Sequence, residues 1–485
     1  MKSNKPRLGH ALLAAALALG AAQAMAAATI VINNINAAGV GFNDATPAVP
    51  VGGNTGTTLG QQRLNAFQHA ANIWGATLTS SVPILINASF EPLTCTATSA
   101  VLGSAGATFI FNNFAGAQKL NTWYPYALTN KISGADGLAT DPGGPQGQIR
   151  ARFNSNLGLN ANCLPGSPFY LGLDRNFGTG IDLVTVLLHE FGHGLGFQTF
   201  TSGSTGAQIN GLPSIWDHFM LDNTSGKLWT QMTNAERVAS ALNSRRLVWT
   251  GANATAGAPS ALIPGTPSLR ITGANAGATA GSYPVGTASF GPLLTSTGVS
   301  GQLMPVVSAT TAAGLTGPGC GPLTATDARA VNGNIALIDR GVCGFAVKVK
   351  NAQLAGARAV VIADNVAGGP PAGLGGADPT VTIPSLRITL ADANALKARL
   401  ATRSRTTSGV IATLIADPSQ LAGADTNGRV MLFTPNPLQG GSSLSHWDTS
   451  ATPNLLMEPA INLDLLQVVN LPTDLTFPLL LDIGW

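Results

Sequence analysis

At 485 residues the chain is longer than the ~250–300 residues at which a single hydrophobic core stops growing, so two folded units are expected. Only 10% of residues are charged and the formal net charge is +3, with Lys2, Lys5 and Arg7 in a segment that export would remove, so a basic partner surface is not indicated and no nucleic-acid partner is expected. Hydrophobic residues at 45% suffice for packed cores, and 58 glycines with 30 prolines then describe a loop-rich fold, not a disordered chain.

Lys2, Lys5 and Arg7 precede an apolar run from Ala11 to Leu19 and the small residues Ala24-Met25-Ala26, the three parts of a secretory signal peptide over residues 1–26. The apolar run is shorter than the ~20 residues needed to cross a bilayer, and no later run of that length is free of breakers. No cysteine stands near the cleavage point to carry a lipid. The expectation is a secreted protein, extracellular or periplasmic, with no membrane anchor.

Beyond the signal peptide, Ile30-Val31-Ile32 reads as a strand, and Leu64, Phe67, Ala71 and Trp74 recur at helical spacing within residues 61–75. Val82 to Ile86 reads as a second strand. Thr179 and Asp182 stand three apart like a capping pair before the apolar run Leu183–Leu188, which predicts a helix from Ile181 to near Gly196. From about residue 252 the composition shifts to Gly, Ala, Thr and Pro. Within that stretch Ile335–Ile338, Ala346–Ala355 and Ala359–Ile362 read as strand, helix and strand, a βαβ pattern. Near the end, Val430–Phe433 is strand-like and Leu475–Leu481 is apolar, so this segment needs a core to pack against. Cys95, Cys163, Cys320 and Cys343 are even in number and bound for an oxidising compartment, which predicts two disulfides with three pairings open.

The chemistry is concentrated in His189-Glu190-Phe191-Gly192-His193, inside the predicted helix. Residues at i and i+4 lie one above the other on a helix face, so the two imidazoles converge on one metal ion. Glu190 projects about 100° round from His189 and reaches a water on that metal without ligating it. A catalytic zinc takes three protein ligands and keeps a position open, so a third ligand is required. Outside the signal peptide the remaining histidines are His69, His218 and His446. His69 points away from the apolar stripe of its helix, and His218 lies among apolar neighbours as a core histidine would. Among the glutamates Glu91, Glu190, Glu236 and Glu458, Glu236 is the main rival ligand, but Arg237 beside it reads as an ion-pairing surface position.

These residues resemble the leishmanolysin-like branch of the metzincin zinc peptidases. Members carry His-Glu-x-x-His-x-x-Gly, a third histidine far downstream beyond an insertion, and then a methionine turn. Here His189, Glu190, His193 and Gly196 match the first part, and His446 and Met457 the second. Thr199 stands where the short-spacer metzincins have their third histidine, which strengthens the claim of His446. The ending Leu481-Asp482-Ile483-Gly484-Trp485 also resembles bacterial members.

The middle of the chain resembles a protease-associated (PA) domain, through Gly333 to Phe345, Lys348, Asn351-Ala352-Gln353, Ala355-Gly356-Ala357 and Ile383-Pro384-Ser385. That resemblance implies a Cys320–Cys343 disulfide and leaves Cys95–Cys163 as the other. Asp339 and Arg340 within it read as a structural ion pair. The expected fold is α+β: a metzincin-like zinc peptidase domain in two parts, 27–252 and 421–485, split by an inserted α/β PA domain at 253–420.

The resemblance implies a zinc endopeptidase acting on proteins or peptides. His189, His193 and His446 would bind Zn²⁺, Glu190 would be the general base, and Met457 would form the floor. Two other classes stay open: a secreted peptide-binding protein with a vestigial zinc site, and a zinc exopeptidase. An intact Glu190 argues against the first. PA-bearing aminopeptidases usually lack the His-Glu-x-x-His motif, which argues against the second. The sequence specifies no oligomeric state.

Overall fold

Apolar side chains at period-two positions, such as Ile84, Ile86 and Ala88, bury one face of the first sheet. It contains strands β1 (Ile30–Asn34), β2 (Ile84–Glu91), β3 (Gly103–Ala107) and β4 (Ile149–Asn154) in the order β1-β2-β4-β3. The first three neighbours run parallel, while β3 pairs antiparallel with β4 at the edge. The structure, a computed structural model, describes residues 27–97, 99–139, 147–288, 290–307, 317–369, 371, 373–376, 378–462 and 464–485. The signal peptide read over 1–26 lies outside the described residues.

Helix α1 (Leu59–Thr77) buries Phe67, Ala71 and Trp74 against this sheet, as their spacing predicts. Leu64 departs from that expectation. It lies at the margin of the buried stripe and is 38% exposed. The Trp74 indole donates to the Leu188 carbonyl at 3.1 Å and so ties α1 to helix α2 (Leu183–Leu195). Every residue of α2 is buried, as befits a helix that is apolar nearly all round. Gly196, at φ +125°, closes it in a backbone conformation that a β-carbon would strain. The predicted Thr179–Asp182 cap does not form. Asp182 is the N-cap residue, and its carboxylate instead accepts from the Thr185 hydroxyl at 2.5 Å and the Gln467 amide at 3.0 Å.

The carboxy-terminal segment folds into this same core. Val430, Leu432, Trp447 and Met457 join it, as do Leu475, Leu479, Leu480 and Ile483 around helix α4 (Thr476–Ile483). Val430–Phe433 does not build a sheet strand. It makes isolated bridges, with Trp249 N–H donating to Val430 O and Leu432 N–H to Leu247 O. Helix α3 (Ala252–Ala261) also packs here through Ala254, Ala258 and Ala261, so the first core runs past residue 252, where the inserted unit was expected to begin.

Between these parts lies an eight-stranded sheet flanked by two hydrophobic clusters, one on each face. Strands β5 (Pro264–Thr272) and β10 (Ile411–Leu421) are antiparallel neighbours, with Pro264 opposite Leu421. Entry and exit therefore sit side by side, which lets the unit be inserted without opening the first core. Strands β6 (Val299–Pro305), β7 (Ile335–Asp339), β8 (Ala359–Ala363) and β9 (Ser385–Ile388) run parallel in that order. Strand β7, the helix Phe345–Leu354 and β8 form the predicted βαβ unit.

Asp339 and Arg340 do not pair with each other. Asp339, the last residue of β7, pairs with Lys397, and Arg340, just beyond the strand, pairs with Asp364 at 2.8 Å. The disulfides are Cys95–Cys163 in the first core and Cys320–Cys343 in the inserted unit. No helix among the described residues is long and apolar enough to cross a membrane.

Candidate metal centre

One helical turn separates His189 from His193 on α2, and the turn that follows residue 441 brings His446 to meet them. The three Nε2 atoms are 3.2 Å apart in every pair. Each Nδ1 faces a carbonyl: His189 meets Leu456 O at 2.7 Å, His193 meets Phe197 O at 2.8 Å and His446 meets Ser442 O at 2.7 Å. A carbonyl can only accept, so each Nδ1 carries the proton and each Nε2 presents a bare lone pair. Three lone pairs converge with no proton between them, an arrangement that calls for a cation. Nitrogens ~2.0–2.1 Å from a tetrahedral ion lie about 3.3 Å apart, so the donor set fits zinc in kind and in spacing. Among the described residues this is the one group of three or more His, Cys, Asp or Glu close enough to hold an ion.

All three imidazoles are buried, and burial holds their proton affinity down, to about 3 for His189 and about 4 for His193. His446 is pushed well below its ordinary value by burial and by the neighbouring histidines. They are therefore neutral, the state in which an imidazole can bind a metal ion. Glu190 faces the same space, and its carboxyl is pushed up to about 8 by burial against the opposing hydrogen bond from the Ala105 backbone. A β-carbon at Gly103 would sit 3.0 Å from Glu190 Cγ, so glycine on β3 leaves room for that side chain.

Met457 lies beneath the centre. Its sulfur would be 2.9 Å from a β-carbon at Gly192, so the glycine between the two α2 histidines lets the methionine approach. The neighbouring Leu456 carbonyl orients His189, and Leu456 N–H donates to the buried Asp474 carboxylate at 2.7 Å. His446 is held from several sides: Leu444, at φ +73°, turns the chain, and its carbonyl accepts from the Trp216 indole at 3.2 Å. Thr199 N–H donates to Ser445 Oγ at 3.2 Å, and the Thr199 hydroxyl donates to the fully buried Asp217 at 2.7 Å. Asp217 and Asp474 were not singled out by sequence reasoning. Each is a lone aspartate without a spacing signal, and its role exists only once distant backbone N–H and hydroxyl groups surround it.

The other candidate ligands lie elsewhere. His69 is half-buried on α1 and is no part of the cluster. His218 pairs through Nε2 with the Thr122 hydroxyl at 3.0 Å, and burial pushes it down to about 4. Glu236 caps the helix Asn234–Ala241 and pairs with Lys227 at 2.5 Å. Arg237, expected to be its surface partner, is instead buried and donates to the carbonyls of Trp229 and Gly206. Glu91 pairs with Arg150 and Arg152, and Glu458 is buried beside Met457, accepting from Leu455 N–H at 2.9 Å.

A cleft of about 890 Å³ opens over His189, Glu190, His193 and His446, between β3 on one side and residues 438–446 and 459–461 on the other. It lies at the junction of the amino-terminal part and the carboxy-terminal segment.

Among the comparisons with known proteins, the family match falls within the inserted unit. A search of curated proteins gives no match. Among solved structures the chain is similar to an aminopeptidase from Aneurinibacillus sp. strain AM-1, at 28% identity, covering 32% of this chain and 31% of that one, with a TM-score of 0.24. It is also similar to BSAP, a zinc aminopeptidase from Bacillus subtilis, at 27% identity over 32% and 31% of the two chains, with a TM-score of 0.22. A subtilisin-like protease, Apa1, from Pseudoalteromonas sp. AS-11 matches at 18% identity over 32% and 34%, with a TM-score of 0.22. The chain thus spans about a third of the length of each. Residues 299–396 match the PA domain family, and the inserted unit accordingly carries a PA domain.

Proposed function

We propose that this protein is a secreted zinc endopeptidase of the metzincin kind, nearest to the leishmanolysin-like branch, with a PA domain inserted into its catalytic domain. The observation that carries this reading is the meeting of three proton-free Nε2 atoms beside a buried carboxylate in an open cleft. His189, His193 and His446 would hold the ion. When bound, zinc supplies Lewis-acid chemistry, polarising a carbonyl and acidifying water. Glu190, oriented by the Ala105 N–H, takes the proton of the attacking water and passes it to the departing amine. The Leu456, Phe197 and Ser442 carbonyls fix the tautomers of the three imidazoles, and Met457 shapes the floor without taking part in the chemistry.

The cleft favours an endopeptidase over an exopeptidase. Holding a free terminus takes a charged partner for the ammonium or carboxylate. Apart from the three imidazoles, Glu190 is the one acidic or basic side chain among the described residues lining the cleft, and the mechanism already employs all four. A vestigial site would have no use for a carboxylate aimed beside the imidazoles. Export is supported by the signal-peptide pattern of residues 1–26 and by two disulfides with no free cysteine among the described residues. The test is zinc content of the purified protein together with cleavage of a peptide library, with and without chelator. One zinc per chain and chelator-sensitive internal cleavage are expected. Cleavage only from chain ends would return the exopeptidase reading.

A further inference from the structure

Two lines of contact run from the inserted unit to the chain segment that carries His446. The first passes through Arg245, in the amino-terminal part. Its Nε lies 3.3 Å from Oδ1 of the buried Asp448, two residues after His446, and its Nη1 donates to the Val285 carbonyl of the inserted unit at 3.2 Å. Arg245 sits in the left-handed backbone region at φ +59°, which a residue with a β-carbon occupies at a cost, so the turn holds its shape for what the guanidinium reaches. The second line is backbone. Gly369 of the inserted unit bridges Asn436, with Gly369 N–H donating to Asn436 O at 3.1 Å, and three residues earlier Phe433 N–H donates to the His446 carbonyl at 2.9 Å. Gly368, at φ +126°, permits this approach, because a β-carbon there would press into the Asn436 carbonyl.

Between the two lines the units stand apart across a cavity of about 490 Å³, walled by Val285 and Gly369 on one side and Phe433 and Asn436 on the other, so no packed interface there stands in for either tie. His189 and His193 need no such hold, since they lie on α2, a helix buried along its whole length. We propose that Arg245 is a positioning residue for His446, and that with the Gly369–Asn436 bridge it transmits the placement of the inserted unit to the third histidine alone. Loosening either tie then loosens one corner of the cluster and leaves the α2 pair in place. This inference rests on the zinc peptidase reading above.

The experiment compares the full chain with Arg245→Lys and Gly368→Ala. Lysine keeps a positive charge beside Asp448, whose carboxylate would otherwise be stranded in the core, but lacks the planar fork that spans Asp448 and Val285. Alanine at 368 acts on the other line, so if one variant fails to fold the other decides. The control is replacement of Cys320 and Cys343, which loosens the inserted unit at a place that neither line includes. The readouts are the rate of zinc loss to a chelator and the visible absorption of the cobalt-loaded protein, which follows ligand geometry. Arg245→Lys and Gly368→Ala are expected to hold one zinc per chain, to release it about tenfold faster or more, and to shift the cobalt absorption, with the disulfide variant at wild-type values. Wild-type release and absorption in either folded variant, or the same change in the disulfide variant, would overturn this inference while the zinc site stands. A wild-type protein that takes up neither zinc nor cobalt would overturn the peptidase reading, and this inference with it.

Discussion

Between Pro264 and Leu421 the inserted unit closes on itself, whereas the first core takes its last helix, and one corner of its histidine cluster, from the far end of the chain. The two also bury charge differently. In the inserted unit Asp339 meets Lys397, and Asp364 meets Arg340 and Arg387. Around the histidines the buried Asp217 and Asp474 are instead held by hydroxyls and backbone N–H groups, each on the turn it braces. One buried ion pair also stands near the histidines, Asp448 with Arg245 at 3.3 Å, so the contrast holds for Asp217 and Asp474 and not for every buried carboxylate there. The lesson is that the site depends on groups far apart in sequence, while the inserted unit depends on its own stretch of chain.

The largest expected effect breaks the first region alone. His446→Ala should remove zinc and lower turnover by more than the ~10–100-fold typical of disturbing groups behind a ligand. His218→Ala and Glu236→Ala should keep one zinc per chain, since their partners are Thr122 and Lys227. Full zinc and activity in His446→Ala would refute the assignment.

Acid should also separate the regions, through the metal-free protein. Unfolded histidine binds a proton below about 6.5, but His189 and His193 in the fold do so only near 3 and 4. The unfolded state then binds more protons, so stability falls as pH drops from about 6.5 towards 4. Glu190 acts in the opposite sense. Its folded value of about 8 exceeds the unfolded one, so its contribution is full below about 4.5 and is lost as pH rises through about 8. Thermal unfolding of metal-free Glu190→Gln should therefore fall more steeply with acid than wild type, and an unchanged slope would contradict the burial argument.

Removing the Cys320–Cys343 disulfide sharpens the comparison from the other side. It closes a loop with a sequence separation of 23, so its loss should cost the inserted unit about 3 kcal/mol, read by denaturant unfolding, and leave zinc content intact. Simultaneous loss of zinc would mean that the two units fold as one. The smallest effect is expected of Asp474→Ala. It strands the Leu456 and Thr476 N–H groups and should cost about 1–3 kcal/mol of stability, with weakened zinc affinity through the Leu456–His189 bond.

What could be read from sequence was what repeats at short range. The i,i+4 histidines of α2 are one such pattern, and the apolar runs of β7 and β8, buried on both faces, are another. The downstream histidine was approached through a family resemblance, because nothing local distinguishes His446 from His218. Helix α3 was illegible: Ala252–Ala261 contains Gly257 and Pro259 and reads as the start of the Gly-, Ala-, Thr- and Pro-rich inserted stretch. It is helical because Asp482, from α4, accepts from Asn253 N–H at 2.7 Å and Ala254 N–H at 3.1 Å, satisfying its first turn. Thr179 failed as a cap for the converse reason, since Asp182 found partners in Thr185 and Gln467.

The central claim is that the three histidines serve an ion while Glu190 serves the proton. Its most direct test is Glu190→Gln, with zinc content and peptide cleavage measured on the same preparation. The account predicts one zinc per chain, as in wild type, with cleavage reduced by about 10²–10⁴-fold, the usual contribution of a general base. Retained cleavage at near wild-type rate, in a preparation free of other proteases, would contradict it.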